Sequence, residues 1–194
     1  MSIHRMWFTA VLCACLLMPV AVAEPFVTFP DQKELASPDR RYVLRSVDPP
    51  HDPSAFSSAF HSLVLEDRTT GRSWRLYDYL HKVSAAWSGD RIIATDYVSR
   101  RGARVLVFSV DPKADAYIVD RMALADRLPL PLGSQLQFND HVFVEAARMD
   151  GTRLELRAWG YGAHDPGGFH MTCELDLALG TASCRDNPHT TSPP

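Results

Sequence analysis

The sequence predicts an all-β protein: three antiparallel four-stranded units set against one another in an open stack, with at most one short helix. Three observations carry this. Short β-branched and aromatic runs alternate with Gly, Pro, Asp and Ser clusters along most of the 194 residues, which is the hairpin pattern. The turn aspartates Asp39, Asp90 and Asp150 recur 51 and 60 residues apart, a spacing at which propellers and stacked arrays must be considered. His51-Asp52-Pro53 leading to Phe60-His61, and His164-Asp165-Pro166 leading to Phe169-His170, repeat one loop at matching places.

The middle unit defines the pattern. Val83–Trp87 is a first strand, Ser88–Arg91 a turn, and Ile92–Tyr97 a second strand; a polar loop surrounds Gly102. The third strand is Val105–Val110 and the fourth Ala116–Val119. The unbroken apolar run at 105–108 predicts burial on both faces. Upstream, a turn at Ser37–Arg41 precedes strands at 42–47, 63–66 and 74–77, with Phe26–Phe29 as the candidate for the missing first strand. Downstream, strands are expected at 141–147, 154–159, 171–177 and 182–184. The single domain then spans residues 24–186, with units at about 24–80, 81–120 and 141–186 and an insertion at 121–140. In that insertion Met122–Arg127 suits a turn or two of helix, stopped by Pro129 and Pro131.

The turns carry a family resemblance. Ser37-Pro38-Asp39-Arg40-Arg41-Tyr42-Val43-Leu44 and Ala86-Trp87-Ser88-Gly89-Asp90-Arg91-Ile92-Ile93-Ala94 resemble the W-S-P-D-G turn of TolB-type, WD-like β-propeller blades, and Asp67-Arg68-Thr69-Thr70-Gly71 is similar to their D-x-x-T-G turn. The segment from Trp159 to Phe169 is similar to one in uncharacterised secreted bacterial proteins of this size. Arg40 departs from the pattern where it expects Gly, and Gly89 where it expects Pro. The resemblance implies propeller-blade-like units and a binding role, and carries over no catalytic residue. Because three units are fewer than the roughly four to eight that close a propeller, an incomplete propeller or open stack is expected. A monomer capped by residues 24–36 and 121–140, with Leu128, Leu130 and Leu132 as covering material, is preferred to a homodimeric ring.

At the start of the chain, Arg5 precedes an apolar stretch that ends Ala21-Val22-Ala23, which reads as a secretory signal over residues 1–23 in preference to a spanning helix. Leu12–Cys15 faintly resembles a lipidation site at Cys15. Cleavage removes Arg5 and no acid, leaving 19 basic and 23 acidic side chains. That acidic balance argues against nucleic acid as a partner. No later run is long enough to span a membrane. Cys173 and Cys184 flank the last expected turn, so an across-hairpin disulfide is predicted for an oxidising periplasmic or secreted setting. Residues 187–194 read as a disordered tail.

Alternating strand direction places His51, His61, His81, His141, His164 and His170 at one end of the units, with Asp52, Asp78, Asp140 and Asp165. Imidazoles beside carboxylates suit a divalent metal, with His51, Asp52, His164 and Asp165 as the candidate ligands. Solvated loops collect the same residue types without any ligand, and that reading has the better claim. Trp74, Trp87 and Trp159 fall on strands and read as packing. Phe60, Tyr161 and Phe169 lie in loops and are the expected contact surface. No Gly-x-Ser-x-Gly elbow and no phosphate-binding loop is present. The expected function is a non-catalytic module, without cofactor, that engages a protein or cell-envelope component, as an inhibitor or immunity protein for example. A metal-dependent hydrolase using the same loop end is the alternative.

Overall fold

Residues 25–48, 60–111, 113–114 and 116–187 are described by the computed structural model. The expected signal segment, lipidation at Cys15, His51, Asp52 and all but the first residue of the expected tail lie outside them.

After an entry strand β1 (Val27–Phe29), the first unit comprises β2 (Glu34–Ala36), β3 (Tyr42–Val47), β4 (His61–Asp67) and β5 (Arg72–Tyr79) in an antiparallel sheet of that order. The second runs through β6 (Lys82–Ser88), β7 (Arg91–Ser99), β8 (Gly102–Ser109) and the short β9 (Tyr117–Val119). Two helices follow, α1 (Arg121–Ala125) and α2 (Leu130–Phe138). The third unit is β10 (His141–Asp150), β11 (Arg153–Tyr161), β12 (Phe169–Asp176) and β13 (Thr181–Asp186). The all-β expectation holds: among the described residues the strands form one sheet of nine, β1 with β6–β13, and one of four, β2–β5, with no closed barrel.

Packing follows from side-chain alternation in the middle unit. Val83, Ala85 and Trp87 on β6, Ile92 and Ala94 on β7, and Leu106 and Phe108 on β8 enter one core with Leu44, Leu63 and Leu65 of the first unit. Their neighbours Ala86, Ile93, Val105 and Val107 enter a second core with Val144, Leu154, Leu156, Met171 and Leu175 of the third. The run 105–108 is therefore buried on both faces, as its continuity predicts. Each fully buried aliphatic side chain contributes about 1.5–3 kcal/mol by leaving water.

Three details differ from the sequence reading. Phe26–Phe29 does not complete the first unit: β1 extends the second, Val27 pairing with Ala85 and Phe29 with Val83, because Phe29 fills the first core while β2 occupies the edge of β3. Units two and three share one sheet, through a short parallel pairing of Gly102 with Val142 and Ala103 with Phe143. The brevity of β9 explains this, since it covers only Val105–Val107 of the β8 edge and leaves the rest open to β10. Finally, Pro131 starts a second helix instead of closing off the insertion. It sits in the first turn of α2, where a missing N–H costs nothing. Leu124, Ala125 and Leu136 cap the second core with Leu128 and Leu132 against it, whereas Leu130 is exposed. Asp120 caps α1 by accepting from the Ala123 N–H at 2.8 Å.

β10 leaves β8 after two residues and crosses the middle unit. A bulge between Ala146 and Arg148 frees the Ala146 N–H, which donates to Thr95 Oγ1 at 3.0 Å; Ser88 Oγ donates to the Met149 carbonyl at 2.9 Å. The polar residues of β6 and β7 thus satisfy backbone groups that the bend leaves without a ladder partner.

The turns confirm the register. Gly89 and Gly151 occupy the first position of two-residue hairpin loops with φ of 61° and 57°, the sign pattern of a type II′ turn. Arg40 adopts φ 59°, so the turn keeps the left-handed conformation at the place where the blade pattern has Gly. Cys173 and Cys184 face each other across β12 and β13 and are disulfide-bonded.

Two stability outcomes follow. Replacing Arg40 by Gly removes a left-handed penalty and should raise stability by about 0.5–1 kcal/mol in urea unfolding; a loss of stability would mean the Arg40 side chain holds the turn. Cys173→Ala/Cys184→Ala should lower it by about 2–4 kcal/mol relative to the oxidised protein.

Candidate functional site

Where β6 and β7 meet β10 and β11, a cleft of about 660 Å³ opens. One wall is Leu80, His81, Lys82, Tyr97, Ser99 and Arg100; the other is Phe143 and Trp159. The second wall is dictated by strand parity. On β11, Leu154, Leu156 and Ala158 point into the core, so Glu155, Arg157 and Trp159 share the opposite face. On β10, Val142 and Val144 point inward and leave Phe143 and Glu145 outside. Phe143 and Trp159 are direct cross-strand partners, and their rings stack at 4.1 Å and 11°. His170, opposite Trp159 on β12, continues the series at 6.2 Å and 13°. His141 and Tyr161 stack beside it at 4.5 Å and 8°. Gly160 makes room for this corner: a Cβ there would sit 2.2 Å from the His141 carbonyl and 2.9 Å from the Phe169 ring.

The opposite wall is polar and cationic. Lys82 and Arg100 are exposed, and Lys82 Nζ lies 4.2 Å from the Tyr97 ring centre, a cation–π contact. Tyr97 donates to Glu145 Oε1 at 3.1 Å, joining the two walls. Burial, and then the neighbouring Glu145 carboxylate, push the Tyr97 phenol up to about 12, so it stays a neutral donor throughout the ordinary pH range. Among the described residues no acidic side chain lines the cleft itself, and the Glu145 carboxylate lies next to it at the Tyr97 hydroxyl.

The residues singled out in the sequence are distributed as follows. His61 Nδ1–H donates to the Asp48 carboxylate at 2.7 Å, and the ring stacks on Tyr79 at 5.2 Å. Phe60, beside it, is half-buried. Tyr161 is 48% exposed, next to the aromatic series. His164 is exposed against Phe138. Asp165 is committed to structure: its carboxylate accepts from Asn139 Nδ2 at 2.8 Å, and its N–H donates to Asn139 Oδ1 at 3.0 Å. Asn139 is itself buried and also donates to the Gln135 carbonyl, so this loop is clasped to the end of α2. Phe169 is corrected from surface to core, at 2% exposure, because the first residue of β12 faces inward with Met171 and Cys173. Trp87 packs in the first core and Trp74 against it, as read from their strands; Trp159 belongs to neither core and forms part of the cleft. Among the described residues no group of three or more His, Cys, Asp or Glu is placed to hold a metal ion.

A second polar cluster, between units one and two, is a clamp. Asp96, 2% exposed, accepts from the Tyr77 hydroxyl at 2.5 Å and from Arg104 Nε at 3.2 Å, and Arg104 also donates to the Tyr77 oxygen. Burial first, then Asp96, raise Tyr77 to about 12. The guanidinium compensates a carboxylate that burial would otherwise make costly.

No protein-family model, curated protein or solved structure matches this chain.

Tyr77 and Tyr97, the two tyrosines pushed up furthest, favour the protonated folded state. Their stabilisation is complete below the ordinary phenol value near 10 and is lost as pH rises toward 12, because the unfolded chain releases those protons first. Ultraviolet titration should show two phenols ionising near 12, and Tyr97→Phe should remove one of them. Ionisation of every tyrosine near 10 in the folded protein would contradict the burial described.

Proposed function

We propose that this chain is an extracytoplasmic, propeller-like binding module, without catalytic machinery, that engages a cell-envelope partner through the cleft between its second and third units. The observation that carries the reading is the Phe143–Trp159 stack. Two large aromatic rings lie outside both cores and line an open cleft, where burying them on a partner gives a large apolar gain with little conformational entropy to lose. The compartment is supported by the leader reading of residues 1–23 and by the Cys173–Cys184 bond, since disulfides persist in oxidising settings. The turn motifs support kinship with propeller blades, which serve mainly as binding platforms. No helix among the described residues is long and apolar enough to cross a membrane.

Among the described residues nothing favours the metal-dependent hydrolase, whose candidate ligands His51 and Asp52 lie outside them: Asp165 is held by Asn139, and His164 stands against Phe138.

The test is retention of envelope material on immobilised protein. Trp159→Ala should weaken capture about thirtyfold, the loss expected for an aromatic hot spot, while Leu130→Ser on α2 leaves capture unchanged. Undiminished capture by a folded Trp159→Ala protein would remove the cleft from the binding surface.

A further inference from the structure

We infer that the tip of the β7–β8 hairpin docks on an anionic lipid bilayer; this goes beyond the cleft reading and holds or fails independently of what the cleft takes. β7 ends at Ser99 and β8 starts at its partner Gly102, so Arg100 and Arg101 form a two-residue tip. Val98, Ser99, Arg100 and Arg101 are all exposed, Val98 at 42%. The entry to β6 runs beside this end, since Lys82 pairs with Tyr97, and it adds Leu80, His81 and Lys82, exposed as well, Leu80 at 37%. Together the two stretches carry the fixed cations Lys82, Arg100 and Arg101, the aliphatic Leu80 and Val98, and no acid, on a chain whose net charge is −3. Among the described residues neither Arg100 nor Arg101 has an ion-pair partner.

The distribution of these groups around the tip selects the bilayer. Leu80 and Arg100 line the aromatic cleft on one side of the hairpin; Val98 and Arg101 line a groove on the other, facing the start of α1, where Met122 is 38% exposed. Each side therefore offers one aliphatic group and one guanidinium, which suits a tip immersed in a medium and not one laid against a surface. The headgroup layer of an anionic membrane is such a medium: phosphates lie on every side, and long arginine side chains reach them while the aliphatic groups leave water. An acidic protein surface would meet one side and leave the other aliphatic group wet. A small anion asks for a concave site, whereas these cations stand on a projecting turn. Of the acids nearby, Asp120 caps α1 and Glu145 accepts from Tyr97; Asp140, exposed across the groove, is outnumbered by the three cations. The backbone of the tip is already fixed. The Arg101 carbonyl accepts from the Val142 N–H at 3.0 Å, and the Arg101 N–H donates to Ser99 Oγ at 3.0 Å. Gly102 lets this joint close, since a Cβ there would lie 2.9 Å from the Val142 carbonyl oxygen. Little backbone order is then left to lose on docking.

The experiment is co-sedimentation with vesicles of phosphatidylcholine alone or of phosphatidylcholine and phosphatidylglycerol at about two to one. It uses secreted protein shown by mass spectrometry to start after residue 23, because an attached apolar segment would enter bilayers by itself. Binding to the anionic vesicles should be about a hundredfold tighter than to the neutral ones, each of the three cations near the surface contributing about fivefold. Arg100→Gln/Arg101→Gln should weaken it about twentyfold, and Leu80→Ser/Val98→Ser about tenfold, with unchanged circular dichroism showing that both variants fold. Leu130→Ser and Leu179→Ser, which remove exposed leucines of α2 and of the β12–β13 turn, should leave it unchanged. Equal binding to both vesicle types would overturn the inference. So would binding to sulfated agarose as tight as to anionic vesicles, which makes charge alone sufficient, or a loss on substituting Leu130 or Leu179. If vesicles are ignored while envelope capture still depends on Trp159, the bilayer contact is wrong and the cleft reading stands. If vesicles bind through the tip while capture is indifferent to Trp159, the cleft reading fails and the bilayer contact stands.

Discussion

The structure depends on a middle sheet that is buried on both faces. A half-exposed strand can alternate apolar and polar residues, but β6, β7 and β8 must present apolar groups to two cores at once. This explains the composition of 83–87, 92–94 and 105–108, where Ala85, Ala86 and Ala94 are interspersed with larger apolar side chains and 105–108 is apolar at every position. It also explains why the polar groups that remain there are drawn into contacts, Thr95 with a bulged strand and Asp96 Oδ2 with Tyr77 and Arg104, while the buried Asp96 Oδ1 has no hydrogen-bond partner among the described residues. An unmatched polar atom at such a site costs about 1–3 kcal/mol. The outer units face no such demand, and their solvent sides carry ion pairs such as Arg45–Glu34 and Arg148–Glu155.

Most of the strand plan could be read from the residues, because hydrophobic period and turn chemistry are local properties. Strand centres, the three aspartate turns and the Cys173–Cys184 hairpin all follow from short-range pattern. Long-range edge choices do not. Nothing in Phe26–Phe29 reveals that it serves β6 in preference to β3, since both edges accept the same three-residue strand. The fusion of units two and three depends on how little of β8 is covered by β9, which is a length effect visible only after pairing. Pro131 is ambiguous in principle, because the same residue that ends one helix is favoured in the first turn of the next.

The candidate site was only partly visible for a related reason. Loop residues attract attention as contact points, yet Asp165 and Phe169 are internal fixtures of their loop, and the aromatic wall stands on regular strands. A signal was present in strand parity: Trp159 shares its side with Glu155 and Arg157, and Phe143 with Glu145, which assigns both aromatics to the solvent side. Lys82 and Arg100 carried no comparable mark, because single exposed cations at strand ends are ordinary.

The parallel joint between β8 and β10 has a mechanical consequence. Because the hydrogen-bonded ladder is continuous from β6 to β13, both walls of the aromatic cleft belong to one sheet, and they cannot swing apart as lobes on a linker would. The first unit is a separate sheet, linked to the second by the chain at Leu80–His81 and between β1 and β2, and held to it by the shared first core and the Tyr77–Asp96–Arg104 clamp. A guest in the cleft therefore meets two walls that one sheet already sets side by side.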